Sequence, residues 1–213
     1  MNILPRIKEV LADEPNDAQL DKFLGDVRES LATSNKQFIS FSILVITALS
    51  TYHLMVYEGL SSFSVNSIQI VNTALFRRAF LVVPAALLGA MACIGYLRRC
   101  QRETYDYLAI SRYRILGKTG LHELRLPSDY ILGLFLLRTE GGILGKIVSS
   151  VIAFFSVMIF TVAPAIYIIR SAVENIAVFG LSDLLAVAAS CTAIALSVCS
   201  LLVVWLAMRI KAT

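Results

Sequence analysis

Four long stretches of this 213-residue chain contain no Lys, Arg, Asp or Glu. Phe38 to Val56 is flanked by Lys36 and Glu58, Ala79 to Leu97 by Arg78 and Arg98, Ile147 to Ile169 by Lys146 and Arg170, and Leu184 to Met208 by Asp183 and Arg209. An ionised side chain at mid-bilayer costs at least about 2.5 kcal/mol, and about 20 helical residues cross a hydrocarbon core roughly 30 Å thick. All four runs are therefore long enough to span. Buried helices of a soluble protein usually carry a polar stripe, and none of these does. With 57% hydrophobic and 16% charged residues and a mean hydropathy of +0.74, lipid is the expected solvent for most of the chain. The first run follows 37 residues of acidic, helix-patterned sequence, and no small-residue cleavage site follows it, so it is expected to stay in the protein rather than act as a cleaved signal.

The flanking charges predict the orientation. Residues 1 to 37 hold five Lys and Arg, residues 98 to 146 nine and the tail after Met208 two, against two in 57 to 78 and one in 170 to 183. Sixteen against three places both termini and the long central loop in the cytoplasm. The expectation is an all-α integral membrane protein with four transmembrane helices, in a bacterial inner membrane. It divides into a cytosolic amphipathic segment, 1–37, and a four-helix domain, 38–213, with spans at about 38–56, 79–97, 147–169 and 184–208 and a cytosolic loop at 98–146. The net charge of +4 needs no nucleic acid to explain it, because basic residues beside anionic headgroups account for much of it. No direct nucleic-acid binding is expected, and the lipid bilayer is the first partner.

Within 1–37, Ile3, Leu4, Ile7, Val10 and Leu11 form one short apolar face, and a second helix follows Asp17. There Leu20, Phe23, Leu24, Val27 and Leu31 recur at helical spacing, with an acidic opposite face. Seven acidic against five basic residues make this a poor lipid-surface binder, so its stripe should cover protein, either this chain's own central loop or a partner. In the loop, Arg98 to Ile115 can continue the second span, with Tyr105, Leu108, Tyr113 and Ile115 available for packing and Arg99, Arg102, Arg112 and Arg114 for solvent or acidic groups. Gly117-Lys118-Thr119-Gly120 breaks that helix, and Asp129 to Arg138, containing Tyr130 and Phe135, reads as a further helix too short to span. These residues are the candidate contacts for a cytosolic protein.

The segment from Ile68 to Leu75 reads as an outward helical extension of the second span, ending on Arg77 and Arg78. This pair either contacts lipid phosphate or, in a symmetric homo-oligomer, forms an outer ring of positive charge. Pro84 and Pro164 lie six residues inside Arg78 and Arg170 and are expected to loosen their helices at matched depth. In the fourth span Ala186, Ser190, Ala193, Ser197 and Ser200 follow at steps of four, three, four and three, and Ala85, Gly89 and Ala92 repeat the spacing in the second. Seams of small residues let helix backbones approach closely. They can serve packing within one subunit or between copies.

Chemistry is sparse. Gly117-Lys118-Thr119 fails as a phosphate loop because the required preceding glycine is Arg112. His53 and His122 are the only histidines, so a histidine metal site within one chain is not expected. No pairing of nucleophile and base is visible in or beside the spans. The four cysteines lack the pattern of a disulfide framework. The chain is read as no enzyme, without cofactor or metal. Ser40, Thr47 and Thr51 share one face of the first span and are the residues an oligomeric pore would line with hydroxyls.

In overall plan (size, four spans, short outer loops, one inner loop between spans two and three) the chain resembles the small four-span membrane subunits of bacterial anti-phage defence operons, the Kiwa membrane subunit in particular. That resemblance implies an inner-membrane oligomer that senses infection at the envelope and acts with a cytosolic DNA-binding partner. Two functions are therefore carried forward: a homo-oligomeric platform that recruits a cytosolic effector, and a pore that alters membrane permeability.

Overall fold

The computed structural model describes residues 17–57, 63–65, 68–70, 73–112 and 142–209. Four helical stretches are long and apolar enough to cross a membrane: Asp17–Tyr57, Phe76–Ser111, Gly142–Phe179 and Leu184–Arg209. The first, α1, is a single 41-residue helix from Asp17 to Tyr57. It passes through Lys36 and into the charge-free run without interruption, so the boundary expected at residue 37 is a change of composition, not of backbone. Its Ser30 to Ser40 stretch contains no Gly or Pro, and nothing there opens the i→i−4 ladder.

The segment expected to be helical from Ile68 to Leu75 departs from that reading. Strand β1, Phe63–Val65, pairs antiparallel with β2, Ile68–Ile70, in the register Phe63 with Ile70, Ser64 with Gln69 and Val65 with Ile68. Both triplets alternate apolar and polar residues, the period of a strand, and carry β-branched residues. Helix α2 starts only at Thr73 and ends at Phe80, and α3 runs from Val82 to Arg112. The interruption at Leu81 has a local cause. Pro84 lacks an N–H, and its ring clashes with the carbonyl four residues back, that of Phe80. The amide of Ala85 still reaches the Leu81 carbonyl at 3.3 Å.

Pro164 acts in the same way. Helix α4, Gly142–Val157, passes into a π-helical turn, Met158–Val162, before α5, Ala163–Phe179. The Ala163 amide donates five residues back, to Met158. One wide turn thus takes up the position that Pro164 leaves without a donor. Gly180, at φ +80°, ends α5 with its amide on the Ile176 carbonyl, and α6 runs from Leu184 to Arg209.

The chain divides into two compact units, with limits that fall inside the long helices. One contains the described parts of residues 1–38, 94–156 and 205–213. Its apolar core is Leu20, Leu24 and Leu31 of α1 against Tyr105, Leu108 and Ala109 of α3, with Val27 and Tyr107 partly buried beside them. Ser34, Asn35, Arg98 and Arg102 are buried in the same unit. The Arg98 guanidinium lies 4.7 Å above the Phe38 ring, and Gln101 donates to the Ser30 hydroxyl at 2.7 Å. Arg99 pairs with Glu103.

The other unit comprises residues 39–93 and 157–204. The small-residue seam forms its interior. Ala186, Ser190, Ala193, Ser197 and Ser200 are all buried, as are Ala85 and Ala92, and a Cβ on Gly89 would stand 3.6 Å from the Ser200 hydroxyl. Both seams therefore pack within this chain. Leu88, Met91, Val45, Tyr52 and Ile168 fill the remaining volume, and Ser42 donates to the Met91 sulfur at 3.2 Å. The hydroxyl face of the first span lies elsewhere: Ser40 and Thr47 are exposed, and Thr51 donates to the Thr47 carbonyl.

Candidate functional site

A polar constellation that ties three helices lies in the second of these units, where the charge-free runs end. Asn175 on α5 is about 1% exposed. Its amide nitrogen donates to the backbone carbonyl of Arg78 on α2 at 3.2 Å and to the Ser190 hydroxyl on α6 at 3.3 Å. One side chain thus ties three helices. Burial of an amide is costly unless it is bonded, and here the nitrogen is bonded while the oxygen has no partner among the described residues.

Arg78 holds the same junction from outside. Its Nε stands 2.9 Å from Asp183 Oδ2, an ion pair rather than an aligned hydrogen bond. The other Asp183 oxygen accepts from the Ala186 amide at 3.1 Å and caps the start of α6. Phe179 completes the clamp, with the guanidinium carbons of Arg78 and Arg77 at 4.9 and 5.7 Å from its ring centre.

A second set of contacts joins α1 to α5. His53 Nδ1 and the Tyr167 hydroxyl share a hydrogen bond of 2.9 Å, and one turn further along α1 the Tyr57 hydroxyl donates to Glu174 Oε2 at 2.8 Å. Arg170 donates to the other Glu174 oxygen, also at 2.8 Å. The His53 ring stacks at a tilt on Tyr57, 4.7 Å between centres. Glu174 lies beyond the charge-free run, and hydrogen bonds from Arg170 and Tyr57 hold its carboxyl below the usual value. The arrangement can couple helices and hold charge. Among the described residues no three His, Cys, Asp or Glu side chains gather, and the four cysteines are free thiols.

The residues singled out in the sequence fall into three groups. Leu20, Leu24 and Leu31 are covered by this chain's own α3, which leaves Phe23, 48% exposed, as the open member of the stripe. Arg112 is the last residue of α3, and Arg114, Tyr130 and Phe135 lie outside the described residues, as do Ile3 to Leu11, Gly117 to Gly120 and His122. Arg78 is ion-paired with Asp183, and the Arg77 guanidinium carbon lies 5.7 Å from the centre of the Phe179 ring.

Sequence reasoning missed Asn175, Glu174 and Asp183. A signal for Asn175 exists: Ala165, Ile168, Ser171, Ala172 and Asn175 share one buried face of α5 at steps of three and four. Glu174 and Asp183 read as ordinary boundary charges, and only the fold shows whom they meet. In comparisons with known proteins, no family model, no curated protein and no solved structure matches this chain.

Proposed function

We propose that the protein is a homo-oligomeric platform in a bacterial inner membrane, with both termini in the cytoplasm, which recruits a cytosolic effector and has no catalytic role of its own. One observation carries this reading. The helices of the first two spans extend well beyond their charge-free runs, α1 back to Asp17 and α3 on to Arg112, and the extensions pack on each other through Leu20, Leu24 and Leu31 against Tyr105, Leu108 and Ala109. Each extension is continuous with the helix of its span, which supports a reading in which a change in the span reaches the surface where a partner would dock. The defence role implied by the resemblance in overall plan fits such a device, with the envelope as the site of the stimulus.

Affinity purification of the detergent-solubilised protein from its host, followed by mass measurement of the intact complex, tests the proposal. Several copies with a stoichiometric soluble protein are expected. A bare oligomer would instead favour the pore, for which the exposed Ser40 and Thr47 hydroxyls on the lipid-covered part of α1 are the supporting observation. In that case Trp at either position should change the conductance of planar bilayers.

A further inference from the structure

Among the described residues at the edge of the second unit the charges do not balance. Three guanidinium groups, Arg77, Arg78 and Arg170, stand with two carboxylates, Asp183 and Glu174, which are ion-paired with Arg78 and with Arg170. Arg77 makes no ion pair among the described residues: Phe179 lies 5.7 Å from its guanidinium carbon, the Tyr52 hydroxyl lies beside it, and Glu174, already held by Arg170, is near enough only to feel its charge. Its Nε is enclosed and has no hydrogen-bond partner among the described residues, while the side chain keeps part of its surface open. Arg77 and Arg78 also share the Phe179 ring, so two like charges lie close together with one counter-charge between them.

A partly buried guanidinium without a carboxylate is stabilised by an anion, and its planar fork matches the oxygens of phosphate. The position supplies one. Arg77 stands two residues before Ala79, where a charge-free run begins, and Arg170 and Asp183 likewise sit at run ends. That is the depth at which long basic side chains reach headgroup phosphates. We infer that Arg77 binds a phosphate group, braced by Tyr52 and Phe179 and set apart from the paired Arg78 and Arg170. The site goes beyond the platform reading and does not depend on it.

The test uses the full chain, delipidated in dodecyl maltoside and followed by thermal melting. Dioleoylphosphatidylglycerol is compared with dioleoylglycerol, which has the same tails and no phosphate, and sodium phosphate with sodium chloride at equal ionic strength. At about a hundredfold excess over Kd, phosphatidylglycerol should raise Tm by roughly 5–10 °C. Dioleoylglycerol should leave it unchanged, and Arg77→Gln should remove the rise. Arg77→Met, which keeps an apolar stem against Phe179, serves if the glutamine variant does not fold. A rise with sodium phosphate alone assigns the site to free phosphate, and a rise with the lipid alone assigns it to a headgroup. An equal rise with dioleoylglycerol, or a rise retained in either folded variant, would overturn the inference.

Discussion

The amide nitrogen of Asn175 stands 3.2 Å from the carbonyl oxygen of Arg78, a residue 97 positions away in the chain. That contact places a side chain of α5 on the backbone of α2, just ahead of the break that Pro84 imposes at Leu81. Together with the bond to Ser190 it makes Asn175 the common partner of three helices. Asn175→Ala should lower stability by about 1–3 kcal/mol, since the contacts are buried and their removal strands polar partners, although side-chain bonds between membrane helices are often worth less. Ser190→Ala should cost less than Asn175→Ala. The double variant should cost less than the sum, because the two share one bond. Thermal melts in detergent measure all three, and strict additivity would show that the bond is not made.

Asp183 has two duties that two variants separate. Asp183→Asn keeps an oxygen for the Ala186 amide but gives up the charge facing Arg78; Asp183→Ala loses both. The ion pair is partly exposed and is worth at most about 1 kcal/mol, and the cap about 1 kcal/mol. The alanine variant should therefore be about 1 kcal/mol less stable than the asparagine variant; the difference of each from wild type should shrink with added salt, whereas the gap between the two variants should not. Melting curves at low and high ionic strength check both statements.

The joint between α1 and α5 at Glu174 is expected to respond to pH in one direction. Its folded carboxyl is held below the ordinary value by Arg170 and Tyr57. Its contribution is therefore complete above the unfolded carboxylate pKa and is lost only as pH falls through the lower, folded one. The same contact raises the Tyr57 phenol, chiefly through its hydrogen bond to Glu174, so that group's contribution is complete below the ordinary phenol range and fades at higher alkalinity. The Tm difference between wild type and Glu174→Gln should accordingly stay constant from neutrality down to the upper edge of the usual carboxylate range, shrink as pH falls through that range, and be gone below the folded pKa. A difference that does not shrink in acid would contradict the contact.

In the extension of α1, neighbouring positions are expected to behave oppositely. Leu24 is buried against α3, and Leu24→Ala should cost about 2–4 kcal/mol locally. Phe23 is exposed, and Phe23→Ala should stay within about 0.5 kcal/mol. Hydrogen exchange of the Asp17 to Ser30 amides reads this out. If a soluble partner co-purifies with the wild type, Phe23→Ala is the variant expected to release it without loosening the helix.

Gly89 tests the interior seam. A Cβ there meets only the Ser200 hydroxyl at an ordinary 3.6 Å, so Gly89→Ala should fold with unchanged or slightly raised stability. Gly89→Leu must push α6 away and should cost about 1–3 kcal/mol or more. Were the seam an interface between copies, the leucine variant would instead leave the monomer's melting unchanged and alter oligomer mass.

The sequence by itself determined where this protein meets lipid. Charge is excluded from hydrocarbon whatever the fold, so the four runs between Lys36 and Arg209 had to become the apolar helices. The effects of Pro84 and Pro164 were equally local, because a missing N–H disturbs its helix wherever it stands. The small-residue spacing of Ala186 to Ser200 marked a close contact, but helical periodicity names a face and not its occupant. Only the fold turned that face inward, toward Gly89 and Asn175, and set Leu20, Leu24 and Leu31 on Tyr105 and Leu108. The ribbon at Phe63–Ile70 was misread because a short apolar stretch fits strand and helix patterns alike. The junction of Arg78, Asn175 and Asp183 joins residues up to 105 positions apart. Such contacts depend on which helix ends meet, and that is a property of tertiary structure alone.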